Sequence, residues 1–352
     1  MRLTPPYAAA AIALSLAPST PRVVPAQCVT TPRSCTEFIG VGGGVGQLLV
    51  YRSRPLTTPN DTVVRALVVV HGAERAARWE FRSALAAAFL AGNVENTLIV
   101  VPRFQTNDGS SCTDSLSVNE LNWNCDVARG DWRVGGSALN DSSLSTFDAM
   151  DALLLRLADK KIFPNLRSIV VAGHSAGGQF VTLYQAVNRV HDRLGVATFY
   201  VVANASAYAY LDDRRVLSVP ASGAGADARV TFARFADAQR CPNYSDWPFG
   251  LGKRVGYAAR PTEAQVREQA ASRPVTYLIS QLDLATPSGF FGSCAAMAQG
   301  SSRFARGKAF ASYMTELGRA SHQAIVVDGC SHDARCVYTS DDALPVLFRR
   351  TE

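Results

Sequence analysis

The residues best suited to chemistry fall in one short run, Ser168-Ile-Val-Val-Ala-Gly-His-Ser-Ala-Gly-Gly178. It holds Gly-x-Ser-x-Gly centred on Ser175, the spacing of a serine nucleophile carried on a sharp turn. The bare pattern is weak, because chance supplies on the order of 0.1 matches in a chain of this length. Its setting is more specific. An apolar strand pattern, Ser168–Ala172, runs into the motif, and a helical pattern from Ala176 through Phe180, Leu183 and Val187 runs out of it. Such a strand–turn–helix lifts the hydroxyl clear of a sheet, with Gly173 and Gly177 leaving room for close backbone packing. The start of the helix places positive dipole and free N–H groups beside the serine. A glycine-rich turn with an idle serine is the duller reading.

A serine hydroxyl is a poor nucleophile until a base takes its proton. The chain has five histidines: His71, His174, His191, His322 and His332. His174 adjoins the serine, so its side chain should point away from that of Ser175. His191 falls near the end of the following helix, and His322 at the entrance to the last strand. His332 follows the strand Ala324–Val327 within Asp328-Gly-Cys-Ser-His332, at a carboxyl end where sites collect. It is the expected base. A third group must orient the imidazole and stabilise its charged form. Asp283, just beyond the strand Val275–Ser280, is the first choice, with Asp328 and Asp333 as competitors. Two N–H groups must meet the oxyanion: Ala176 after the nucleophile, and one from the turn His71-Gly72-Ala73, where Ala73 precedes Gly72 in preference. His71 reads as a turn residue rather than a catalyst.

These side chains need a rigid frame, and the sequence spells one out. Short Val/Ile/Leu/Phe-rich runs occur at Gln47–Tyr51, Ala66–Val70, Thr97–Val101, Ser168–Ala172, Thr198–Val202, Val275–Ser280 and Ala324–Val327. Helical patterns lie between several of them: Ala84 to Ala91, Leu144 to Leu157 with Ser142 or Ser143 as N-cap, Ala176 to Val190, and Phe304 to Leu317. Apolar strands separated by crossover helices imply an α/β fold, a mostly parallel sheet covered on both faces. The glycine run Gly40–Gly46 fits no phosphate-binding pattern and reads as a hairpin turn between two early strands. Two stretches break the alternation, Phe104–Asn140 and Tyr208–Arg260, and read as insertions over the strand ends.

The order Ser175…Asp283…His332, behind a His-Gly turn and a Gly-His-Ser-Ala-Gly elbow, resembles that of the α/β-hydrolases. The resemblance spans about Gln47 to Tyr338 and implies a mostly parallel eight-stranded sheet with helices on both faces. Within that superfamily the chain is similar to secreted serine esterases of the polyhydroxybutyrate-depolymerase and feruloyl-esterase kinds. It departs from hormone-sensitive-lipase relatives, whose oxyanion motif is His-Gly-Gly-Gly where this chain has His71-Gly72-Ala73-Glu74. No carbohydrate-binding appendage is expected beside the hydrolase-like region.

Residues 1–26 read as a removable leader: Arg2, an apolar run from Tyr7 to Ala17, then Val24-Pro25-Ala26 before Gln27. The run is too short to anchor, needing about 18 apolar residues, and no later stretch reads as a membrane span. The remainder, 27–352, reads as one domain carrying the insertions around 104–140 and 208–260. Eight cysteines behind a leader suggest disulfides, although they allow on the order of a hundred pairings. Their spacing favours short loops, 28 with 35, 112 with 125 and 330 with 336, leaving 241 with 294. No tight Cys pair suggests a metal. The 352 residues are 47% hydrophobic with a formal charge of +6 and no Lys/Arg run, which does not suggest nucleic-acid binding.

Smaller features have two readings each. Trp123 and Trp132 either stack on a substrate or pack the first insertion; Phe290 and Phe291 either line an acyl pocket or fill space beneath their loop. The sequons at Asn60, Asn140, Asn204 and Asn243 matter only in a glycosylating host. Together the residues suggest a secreted serine hydrolase that cleaves a small or polymeric carboxylic ester and needs no cofactor. A peptidase or acyltransferase with the same triad, and a non-catalytic binding protein on the same fold, are the alternatives.

Overall fold

Each of the seven Val/Ile/Leu/Phe-rich runs, from Gln47–Tyr51 to Ala324–Val327, lies within a strand. In this computed structural model, Met1 and residues 27–31, 33–126, 130–218, 229–285, 292–318 and 321–349 are described. The strands are β1 (Thr36–Val41), β2 (Gly46–Arg52), β3 (Arg65–Val70), β4 (Thr97–Arg103), β5 (Ser168–His174), β6 (Ala197–Ala203), β7 (Arg214–Ser218), β8 (Thr231–Arg234), β9 (Val275–Ser280) and β10 (His322–Val327). Eight form one sheet in the order β1-β2-β4-β3-β5-β6-β9-β10. From β4 through β10 neighbours run parallel, while β1–β2 and β2–β4 are antiparallel. The helices are α1 (Ala77–Leu90), α2 (Thr146–Leu157), α3 (Ala176–Val187), α4 (Glu263–Ser272), α5 (Cys294–Met297), α6 (Arg303–Glu316), α7 (Ala334–Tyr338) and α8 (Leu344–Leu347).

The central strands β3, β5 and β9 are buried along their whole length because helices cover both faces. Val68, Val70, Ile169 and Val171 pack with α2 and α3 on one face. Leu67, Val69, Val170 and Ala172 pack with α1, α7 and α8 on the other. The alternation within each strand thus separates two cores rather than core from water. Between β1 and β2, Gly42, Gly43 and Gly44 all take positive φ, so the early glycine run is the hairpin turn its composition suggested.

Three helix boundaries differ from the sequence reading. The N-cap of α2 is Ser145, not Ser142 or Ser143, in a capping box with Asp148. Helix α1 begins at Ala77 instead of Ala84, its buried Ala77, Phe81 and Ala84 being interleaved with the charged Arg78, Glu80 and Arg82. Helix α3 stops at Val187 rather than Val190, since Asn188 turns extended and its side chain donates to the Tyr184 carbonyl. Helix α4 escaped notice because only Val266, Ala270 and Ala271 of its residues are buried.

The first long connection, from Phe104 to Asn140, is held by the Cys112–Cys125 bond and by Trp123 and Trp132, both fully buried. Trp132 stacks on Phe104, which stacks in turn on Phe180 of α3. Both indoles therefore serve packing and not a ligand. The second connection, 208–260, carries the β7–β8 hairpin, which has its own small sheet and no run long enough to announce it. Arg215 is buried there between Tyr210 and Tyr244 and donates to the carbonyls of Asp212, Arg214, Tyr244 and Phe249. The four disulfides are the pairs that spacing favoured: Cys28–Cys35, Cys112–Cys125, Cys241–Cys294 and Cys330–Cys336. Among the described residues, no helix is long and apolar enough to cross a membrane. The stretch 1–26 read as a leader, apart from Met1, and the Phe290–Phe291 pair lie outside the described residues.

Candidate active site

Ser175 joins β5 to α3 with φ 58° and ψ −117°, a conformation few non-glycine residues adopt. It is held there on both sides. Its N–H donates to the Ala203 carbonyl at 3.0 Å, and its own carbonyl accepts from Gln179 and Ser206. The flanking glycines are a steric necessity. A Cβ on Gly173 would lie 2.2 Å from the Gly177 carbonyl oxygen, and one on Gly177 would lie 2.1 Å from that of Val70. The second contact also seats the start of α3 against the turn that follows β3.

His332 and Asp283 arrive from the far side of the sheet. Asp283 lies in the turn after β9, where its N–H donates to Ser280 and its carbonyl accepts from Phe304 of α6. His332 lies in the loop after the adjacent β10, inside the ring closed by Cys330–Cys336. The loop is tied back by the Leu282 N–H to the Cys330 carbonyl at 2.9 Å. The three side chains meet: His332 Nε2 is 2.9 Å from Ser175 Oγ, and His332 Nδ1 is 2.6 Å from Asp283 Oδ2. Asp283 is buried, which keeps that bond from water. Its competitor Asp333 is spent elsewhere, accepting from the Cys336 N–H as N-cap of α7. In this arrangement the hydroxyl proton can pass to Nε2 while the carboxylate stabilises the charge on the ring.

Sequence reasoning missed what stands behind the histidine. The His174 ring does not face away from the site; its centroid lies 4.5 Å from that of His332. Burial, with His332 and Arg303 nearby, holds the His174 imidazole well below the usual histidine range. Asn204 fixes its tautomer: Asn204 Oδ1 accepts from the Ser280 N–H, so its amide N–H groups point to Ser280 Oγ and His174 Nε2. Arg303 is also buried, with Nη1 4.0 Å from Asp283 Oδ1. A polar residue at the end of a buried strand, such as Asn204 after β6, was the available signal.

The turn after β3 lies beside the nucleophile because Val70 pairs with Gly173. His71 anchors it. Its Nε2 accepts from the Phe104 N–H at 3.0 Å, so Nδ1 carries the proton and donates to the Gly72 carbonyl at 2.9 Å. Burial pushes its imidazole down to about 4, so the ring is neutral. Arg75, itself at φ 55°, closes the turn with its N–H on the Gly72 carbonyl and its guanidinium on Asp114 of the first connection. Ala73 is exposed in the turn, and Ala176 is buried as the first residue of α3. The remaining histidines are structural: His191 bonds Tyr200, and His322 bonds Tyr277 and the Ala270 carbonyl. Among the described residues, no group of three or more His, Cys, Asp or Glu could hold a metal ion.

A family model described as "Alpha/beta hydrolase family" matches residues 67–345. The chain belongs to the α/β-hydrolase family. This hydrolase shares its fold with a poly(3-hydroxybutyrate) depolymerase, LpqC from Bordetella parapertussis. The TM-score is 0.56 and identity 20%, over 87% of this chain and 89% of that one. It is likewise similar to poly(aspartic acid) hydrolase-1 from Sphingomonas sp. KT-1, at TM-score 0.54 and 17% identity, covering 86% and 95%. No curated protein matches the hydrolase in sequence.

Proposed function

We propose that this hydrolase cleaves carboxylic esters through an acyl-enzyme. The observation that carries the reading is the unbroken hydrogen-bonded chain from Ser175 through His332 to Asp283. Ser175 Oγ attacks the ester carbonyl as its proton passes to His332 Nε2. Asp283 holds the ring by Nδ1 and stabilises the imidazolium. The oxyanion meets the N–H groups of Ala176 and Ala73. Of the two candidates in the turn after β3, Ala73 is the first choice and Gly72 the second. His332 then protonates the departing alcohol, and a water, activated by the same imidazole, releases the acid. Each proton and charge in this cycle belongs to a named group, so it calls for no metal or organic cofactor.

The leader and the four disulfides support export: residues 1–26 are removed, and 27–352 work as one domain in an oxidising compartment. The test is a panel of p-nitrophenyl esters of graded acyl length beside a peptide, a poly(3-hydroxybutyrate) film and poly(aspartic acid). Turnover of at least one ester, absent in Ser175→Ala, is expected. Cleavage of the amide substrates with no ester turnover would overturn the ester assignment.

A further inference from the structure

Arg75 has two features that the catalytic cycle leaves unexplained. It takes φ 55°, in the left-handed region that favours glycine, and it folds a charged side chain back over its own turn. Its N–H donates to the Gly72 carbonyl at 3.1 Å, and its Nη1 donates to the Ala73 carbonyl at 3.1 Å. The Gly72 carbonyl also accepts from His71 Nδ1. In a trans peptide the N–H points opposite to the C=O, so the two bonds on the Gly72 carbonyl also aim the Ala73 N–H. The rest of the guanidinium reaches out of the turn. Nε lies 2.8 Å from Asp114 Oδ2 and Nη2 3.4 Å from Asp114 Oδ1, the two side chains being 15% and 16% exposed. Asp114 is itself anchored by reciprocal bonds. Its Oδ2 accepts from the Thr106 N–H, and its own N–H donates to the Thr106 carbonyl, both at 2.9 Å. It lies in the loop closed by Cys112–Cys125. On its other side the turn rests against the nucleophile elbow, where a Cβ on Gly177 would lie 2.6 Å from the His71 carbonyl oxygen.

We propose that Arg75 and Asp114 are positioning residues for the oxyanion donor. Asp114 holds the guanidinium, and the guanidinium holds the turn so that the Ala73 N–H faces the reacting carbonyl. The inference rests on the serine-esterase reading of the same site. A residue other than glycine stays at positive φ only where its surroundings fix it. Here the fixing group is the forked pair with Asp114, whose planar geometry a point charge does not reproduce. Arg103 Nη2, 3.6 Å from Asp114 Oδ1, is a second cation on the carboxylate, but it belongs to β4 and not to the turn. Arg103 can therefore balance the charge of Asp114, while Arg75 alone passes the hold on to the Ala73 carbonyl. The disulfide-closed loop thereby becomes the fixed post against which the oxyanion turn is braced.

The experiment measures kcat and KM for p-nitrophenyl acetate, and Ki for trifluoroacetone, in wild type, Arg75→Gln, Asp114→Asn and the double variant, alongside fluorophosphonate labelling. Trifluoroacetone takes up Ser175 Oγ at its carbonyl carbon, so its oxyanion uses the donors that the transition state uses. Outright removal of such a donor costs about 10²–10³ in kcat, and a loosened one costs less. Arg75→Gln should lose kcat about ten- to hundredfold and Asp114→Asn about tenfold, with KM unchanged. Each should bind the ketone more weakly by the same factor as its loss of kcat, a correspondence that a merely structural role does not produce. The double variant should be no worse than Arg75→Gln, because both changes break one link. Arg103 stays beside Asp114 in Arg75→Gln, and Asp114→Asn keeps the acceptor oxygen, so either variant carries the test if the other does not fold. Wild-type kcat and Ki in a folded single variant overturn the proposal. So does a loss of kcat with ketone affinity intact, or a double variant whose losses multiply. Wild-type protein that fluorophosphonate does not label refutes the serine-esterase reading instead, and so separates the two failures.

Discussion

Removing the Cys330–Cys336 bond should cost rate more than it costs stability. The two residues are six apart in sequence, so the bond closes a small ring. Chain entropy for a ring of that size amounts to about 2 kcal/mol, which in a chain of this length lowers Tm by about 3 °C. Inside the ring sits His332, whose Nε2 must stay within 2.9 Å of Ser175 Oγ. Without the bond, the ring keeps the Leu282–Cys330 hydrogen bond at one end and the Asp333 cap at the other. The three residues between them, Ser331 to Asp333, then carry the imidazole on a looser tether. A displacement of about 1 Å can cost on the order of a hundredfold in rate. The variant is Cys330→Ala with Cys336→Ala, because Cys330 is buried among apolar neighbours where a serine would add an unpartnered hydroxyl. Thermal melts and kcat for p-nitrophenyl acetate should show a shift of about 3 °C beside a ten- to hundredfold loss of kcat. A collapse of Tm by more than about 15 °C with kcat intact would refute the reasoning, showing the bond to be a general staple.

Asp283→Asn should leave a folded protein with kcat lowered by about 10⁴, because the amide presents an N–H to the ring and favours the wrong tautomer; steady-state kinetics check this. Asp151, between the hydroxyls of Tyr184 and Tyr257 at 2.6 Å each, is pushed up by burial to about 6. Its folded value is raised, so the stability it contributes is full below about pH 4 and is lost as pH rises through about 6, an effect of about 3 kcal/mol. Asp151→Asn, which mimics the protonated form, should flatten that part of the denaturation profile measured from pH 4 to 7. Gly177→Ala, aimed at the Val70 carbonyl, should cost several kcal/mol in chemical denaturation. Gly43→Ala, whose Cβ meets nothing within 4 Å, should cost only the about 1–2 kcal/mol of its positive φ.

What could be read from the sequence was what depends on local pattern. Continuous apolar runs such as Ala66–Val70 have one stable solution, a strand between two cores, and the Gly-His-Ser-Ala-Gly turn has one tight geometry. Ser175, Asp283 and His332 stood out because each follows such a run, and the fold brings them within hydrogen-bonding distance. What lay hidden was decided by contacts across the sheet. Glu80 looks like any helical surface acid, yet it is buried in the first turn of α1. His174 alternates away from Ser175 along β5, yet the histidine loop folds down onto its ring. Arg303 begins a helix whose pattern reveals nothing of Asp283 beside it. The β7–β8 hairpin has strands too short and too exposed to show a period. The capping box Ser145-x-x-Asp148 was readable, but nearer serines obscured it.

The central claim is that Ser175 is a nucleophile activated by His332. It is tested most directly by treating the protein with a fluorophosphonate and mapping the adduct by mass spectrometry. One label per chain is predicted, on the peptide containing Ser175, and absent from a folded Ser175→Ala variant. A label on any other residue, or a Ser175→Ala variant that still turns over ester at the wild-type rate, would contradict it.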